Sequence, residues 1–161
     1  MSKPTFSEIV DKICAQDTRY DSDAYGFVRE GLDFTLKSLK RSGGQSRHVS
    51  GQELLTGLRD YALKEYGPMS KTLLNLWGIK NCEDFGNIVF NLVNQGILGK
   101  TDADSPDDFR NGYSFEEAFV KPFEPRKEKF GTATHRRATT TAKKKIRPAV
   151  LGKKKSLKPL K

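Results

Sequence analysis

EDFGNIVFNLVNQGIL, Glu83 to Leu98, is the stretch around which the rest of the chain is organised. Phe85, Ile88, Val89, Leu92 and Val93 recur at the spacing of one helix face. Asn81 can cap the start, with Asp84 three residues later. Gly96 stands where a left-handed C-terminal cap wants glycine, and Ile97 follows as the apolar clamp. The residues after it, GKTDADSPDDFRNGYSF, read as a short strand, a turn-rich loop and a second short strand.

Working toward the N-terminus, Ser50 and Glu53 form a capping box, and Val49 and Leu54 stand at the two positions of a hydrophobic staple. The helix they open turns Leu54, Leu55, Leu58, Ala62 and Leu63 inward and stops at Gly67-Pro68. A short helix from Met69 to Trp77 carries Leu73, Leu74, Leu76 and Trp77 and closes at Gly78, with Ile79 beyond the cap. Farther back, Thr5 to Glu8 is another capping box, opening a helix marked by Phe6, Ile9, Val10, Ile13 and Cys14. A long helix from Ser22 or Asp23 to Arg41 has Tyr25, Val28, Leu32, Leu36 and Leu39 as its buried stripe, and Phe27 and Phe34 widen it. Ser42 to Arg47 is a connector.

This order predicts a mainly α fold: a small helical domain over residues 5–123 with a winged-helix-like β-hairpin, then a basic low-complexity tail over 124–161 that is disordered alone. The wing strands are expected at Ile97 to Lys100 and Gly112 to Phe115. A competing reading takes Ser114 and Glu117 as a capping box that starts a helix, FEEAF.

Charge separates the two parts. The 161 residues carry a net charge of +9. From Arg126 to Lys161 there are 14 Lys+Arg and one acid, Glu128, so that segment is +13 and the body is −4. Arg136, Arg137, Lys143, Lys144, Lys145, Arg147, Lys153, Lys154 and Lys155 are the candidate nucleic-acid-binding residues. They are interleaved with Ala, Thr, Gly and Pro, which suits contact with a phosphate backbone of RNA or DNA without sequence choice. Phe130 is the one aromatic there, so base stacking is not the mode. A membrane surface is disfavoured because the tail lacks the Trp/Phe/Leu face of an interfacial helix.

Four runs, DAYGFVREGLDFT (Asp23 to Thr35), RHVSGQELL (Arg47 to Leu55), CEDFGNIVFNLV (Cys82 to Val93) and GILGKTDADSPDDF (Gly96 to Phe109), carry a resemblance. Over about Phe6 to Phe123 the chain resembles a family of small uncharacterised proteins found largely in planctomycetes and verrucomicrobia. The resemblance implies a bacterial cytosolic protein and no particular activity. The tail lies outside the pattern.

The residues point away from catalysis. Neither H-E-x-x-H, G-x-S-x-G, a P-loop nor G-x-G-x-x-G occurs. His48 precedes a helix cap, and His135 lies in the tail. Cys82 opens the central helix, where a helix N-terminus lowers a thiol pKa, but Glu83 and Asp84 oppose that. Cys14 and Cys82 belong to no C-x-x-C pair and read as free thiols of a reducing compartment. Asp102, Asp104, Asp107 and Asp108 invite a calcium reading that fails on spacing: an EF-hand begun at Asp102 would need its oxygen ligand at Pro106, its glycine at Asp107 and its glutamate at Tyr113. No cofactor and no metal site is expected.

The central helix has no Lys or Arg of its own, and the presumed wing is acidic. Asn87, Asn91, Asn94 and Gln95 form its polar face; such amides can pair with adenine edges, but phosphate contacts supply affinity. The leading expectation is a non-enzymatic nucleic-acid- or ribosome-associated accessory protein of the cytoplasm, its tail on phosphate and its body on a protein partner. The alternative is a protein-interaction adaptor with an incidental basic tail, and an enzyme is the third reading. No apolar run approaches the roughly 20 residues that span a bilayer.

Overall fold

Six helices account for the body in the computed structural model, which describes residues 2–43 and 48–127. They are α1 (Phe6–Gln16), α2 (Ser22–Arg41), α3 (Gly51–Tyr66), α4 (Ser70–Leu76), α5 (Cys82–Asn94) and α6 (Phe115–Phe119). The chain divides into two units, Met1–Glu124 and Pro125–Lys161. The candidate phosphate-binding residues from Arg136 to Lys155 lie outside the described residues.

Local chemistry sets the helix ends. Three capping boxes form as read: Thr5 with Glu8, Ser50 with Glu53 and Asn81 with Asp84. In each, a side-chain oxygen takes an N–H that the first turn cannot use, and the acid reaches back to the cap's own N–H. At the other ends, Gly78 has φ +89° and Gly96 φ +73°. These left-handed residues let Ile79 N–H reach Leu74 C=O at 2.8 Å and Ile97 N–H reach Leu92 C=O at 3.0 Å, the six-to-one bond of a Schellman close.

The core forms where α2, α3 and α5 meet. Phe27 is its hub, with ring centroids 5.5 Å from Tyr61, 5.8 Å from Trp77 and 6.2 Å from Phe85. The α2–α3 crossing is close because it has glycine on both sides. A Cβ on Gly31 would run into Leu58, and one on Gly57 would lie 2.7 Å from Thr35 Cβ. Thr35 is buried there, its hydroxyl donating to Gly31 C=O at 2.7 Å. From α5, Phe85, Ile88 and Leu92 are fully buried, each worth about 1.5–3 kcal/mol of transfer free energy.

The winged-helix hairpin is a correction. Among the described residues there is no strand. The segments expected to pair, 97–100 and 112–115, are a bent connection and the lead into α6. Ile97 N–H, in the first of these segments, is taken by Leu92 C=O, and the loop between the two is folded on its own side chains. Asp104 accepts from Thr101 N–H at 2.7 Å, Asp108 from Ser105 N–H at 2.9 Å, and Ser105 Oγ from Asp107 N–H at 3.2 Å. Ser105 thereby caps a 3-10 turn, Pro106–Phe109, which turns Phe109 into the body. Phe109 is 3 % exposed and packs against bare backbone: a Cβ on Gly86 would lie 2.9 Å from its Cβ and Cγ, and one on Gly51 3.2 Å from its ring. The segment is a plug, not a wing. After it, Tyr113 donates its hydroxyl to Leu55 C=O at 2.9 Å, and α6 follows as FEEAF. Ser114 precedes α6 without a side-chain capping bond, so the helix of the competing reading is present but its capping box is not.

Burial also departs from the sequence pattern elsewhere. Leu76, read as inward, is 75 % exposed. Leu32, Leu36 and Leu39 are half-buried rather than buried; the first two open onto the cavity described next.

Candidate ligand cavity

The apolar face of α5 is shared between core and cavity. Phe85, Ile88 and Leu92 point into the core, while Val89, Phe90 and Val93 are half-buried and line a cavity of about 280 Å³. Leu32 and Leu36 of α2 form a second wall. Val49 and Leu54, the staple pair of α3, form a third, and Leu98 and Phe109 close it from the segment after α5. The Phe90 and Phe109 rings meet edge to face, centroids 6.5 Å apart.

One end of the cavity is polar. His48 Nε2 lies 2.6 Å from Asp104 Oδ2, so His48, which precedes the cap of α3, is paired across to the acidic loop. The same carboxylate accepts from Thr101 N–H at 2.7 Å and Thr101 Oγ at 3.1 Å. The Thr101 amide first, then its hydroxyl and the charge of His48, hold Asp104 below the usual carboxylate range. Lys100 lies with Nζ 5.8 Å from the Phe90 ring centroid, and Asp108 completes this end. The Asp108 carbonyl also accepts from the Gln52 side chain, which ties the loop to α3.

The amides of α5 are engaged inside the body. Asn87 donates to Tyr20 Oη at 2.9 Å, and Tyr20 in turn donates to Asp84 at 2.6 Å. Burial, with the Asp84 carboxylate holding its proton, pushes the Tyr20 phenol up to about 12. Asn91 donates to Asp17 and to Tyr25 Oη, both at 3.1 Å. Asn94 alone of the three is exposed.

Cys82 is 4 % exposed, its thiol donating to Tyr113 C=O at 3.3 Å, and burial pushes it up to about 11. The helix N-terminus does not activate it, because desolvation disfavours the thiolate more. Among the described residues, no group of three or more His, Cys, Asp or Glu stands where it could hold a metal ion, and every buried side-chain nitrogen or oxygen has a partner. No described helix is long and apolar enough to cross a membrane. Comparison with protein-family models, with curated proteins and with solved structures gave no match.

The cavity escaped the sequence reading because its walls come from four separate stretches, each of which reads as ordinary core. Leu32 and Leu36, in the apolar stripe of α2, are half-buried where they line it.

Proposed function

We propose that the protein is a non-enzymatic nucleic-acid- or ribosome-associated accessory protein of the bacterial cytoplasm. Its basic tail holds the phosphate backbone of RNA or DNA without sequence choice, and its helical body meets a protein partner. One observation carries this reading: fourteen Lys+Arg against one acid from Arg126 to Lys161, on a chain whose other part is net negative. Lysine and arginine at that density bind polyanions by releasing condensed counterions, a term that does not depend on base sequence. The bacterial setting rests on the resemblance in residues 6–123, and two free cysteines suit a reducing compartment. Met69 and Leu76, 54 % and 75 % exposed on and beside α4, support a protein contact by the body. They equally favour the second reading, an adaptor whose tail is incidental.

The test is fluorescence anisotropy of the full chain with two unrelated duplexes and one RNA hairpin across a salt series. With about half of the tail's basic side chains engaged, log K should fall against log salt with a slope of about −5 to −7 on duplex DNA. Changing Lys143, Lys144, Lys145, Lys153, Lys154 and Lys155 together to Gln should flatten the slope and weaken all three targets alike. Binding that ignores salt, or that survives the six changes intact, would refute the proposal and leave the adaptor.

A further inference from the structure

We propose that the cavity between α2, α3, α5 and the Leu98–Phe109 segment is a binding site for a small uncharged amphiphile, an aliphatic or aromatic body bearing one hydroxyl or carbonyl group. A volume of about 280 Å³ is roughly nine waters' share of liquid and falls near the lower end of small-molecule sites. It suits a ligand of about ten heavy atoms. Its walls are leucine, valine and phenylalanine, which offer such a ligand no polar partner except at one end.

That end selects against charge. It holds both signs at once: Asp104 paired with His48, and Asp108 and Lys100 beside them. Asp104 is satisfied by Thr101 and His48, and Asp108 accepts from Ser105 N–H. Lys100 makes no ion pair among the described residues and rests on the Phe90 ring. A carboxylate headgroup would meet Asp108 as well as Lys100, and an ammonium would meet Lys100 as well as Asp108, while Asp104 is already paired with His48. A full charge seated there gives up its water for an end that offers it no net counter-charge, which costs affinity. A hydroxyl or carbonyl oxygen can accept from Lys100, and a hydroxyl can also donate to Asp108, with no charge to compensate.

The experiment uses the full chain, methyl-labelled on Leu and Val, titrated in parallel with 1-octanol, octanoate and octylamine and followed by NMR. The expected result is that octanol shifts the Leu36, Val93 and Leu98 methyls in a saturable way, with both ions about tenfold or more weaker. Val93→Phe, which fills the cavity, should abolish the octanol shifts; Leu98→Phe fills it from the segment after α5 and serves if the first variant does not fold. Octanoate or octylamine binding as tightly as octanol would overturn the charge argument. Absence of any saturable shift, shifts confined to other methyls, or binding retained in the folded cavity-filling variants would overturn the site. None of these results depends on nucleic-acid binding by the tail.

Discussion

Replacing Phe109 by Ala separates a plug from a wing. As a wing, the segment after α5 would hang from the body, and truncating one side chain would cost little. As a plug, Phe109 fills a socket built for it: 3 % exposed, seated on Gly86 and Gly51 and edge to face with Phe90 at 6.5 Å. Buried Phe→Ala changes cost about 3–5 kcal/mol, and the aromatic pair contributes about 0.5–1.5 kcal/mol of its own. The site borders an open cavity and can partly collapse, so about 3–4 kcal/mol is expected. Gly86→Ala tests the same contact from the other side. Alanine should favour α5 by about 1 kcal/mol, but its Cβ would fall 2.9 Å from Phe109 Cβ and Cγ, an overpacking that costs about 1–3 kcal/mol. In the Phe109→Ala background the ring is gone, and most of that penalty should go with it. The cycle should therefore show a coupling of about 1 kcal/mol or more, within the range for residues in contact. Urea melts of the four proteins, followed by Trp77 fluorescence and helical circular dichroism, measure it. A Phe109→Ala loss below about 1 kcal/mol, or strictly additive changes, would refute the plug.

Three further outcomes follow from particular contacts. Ser50→Ala removes the acceptor for Glu53 N–H, 3.3 Å away, and should cost about 1 kcal/mol in a urea melt, with Ser50→Gly costing less. Asp17 is held well below the usual carboxylate range, first by its hydrogen bond with Arg19 and then by Asn91; because its folded pKa is depressed, its stabilisation is present above the unfolded value near 4 and is lost as pH falls. The stability gap between the native protein and Asp17→Asn should therefore narrow from pH 7 to pH 3 in parallel melts. Cys82, pushed up to about 11 from 9.0, contributes stability below pH 9 that is lost as pH rises through 11; in a Cys14→Ser protein at pH 8 its reaction with a disulfide reagent should be slow until urea unfolds the chain.

What was legible in the sequence was set by nearest neighbours. A capping box needs only four residues, and the boxes at Thr5, Ser50 and Asn81 all form. The glycine stops at 78 and 96 are equally local, since only their own backbone must turn. The hairpin failed for a reason the alternation of residues hides. The loop between the two segments is held by its own side chains, with Asp104, Ser105 and Asp108 accepting its N–H groups, and it seats Phe109 in the body. The socket for Phe109 is made of missing side chains, Gly51 and Gly86, which add nothing to a hydrophobic pattern. Leu76 went the other way: it fits the spacing of a buried residue, yet it is exposed while Leu74 and Ile79 are fully buried.

The amides of α5 show how tertiary contacts change what a polar face can do. By spacing alone, Asn87, Asn91 and Asn94 form an outward row suited to adenine edges. In the structure, Asn87 is spent on Tyr20, and Asn91 on Asp17 and Tyr25. To read a base, each would have to release partners that are themselves part-buried. Leaving a buried polar group unpaired costs about 1–3 kcal/mol, and a good bidentate contact to adenine is worth about the same. The exchange gains nothing, and Asp104 and Asp108, which line the cavity beside α5, add negative charge that repels phosphates. Groove reading by this helix is therefore disfavoured twice, by the internal bonds it would break and by the charge beside it. The nucleic-acid contact proposed above therefore rests on the lysines and arginines beyond Pro125, through a phosphate term that does not depend on base sequence.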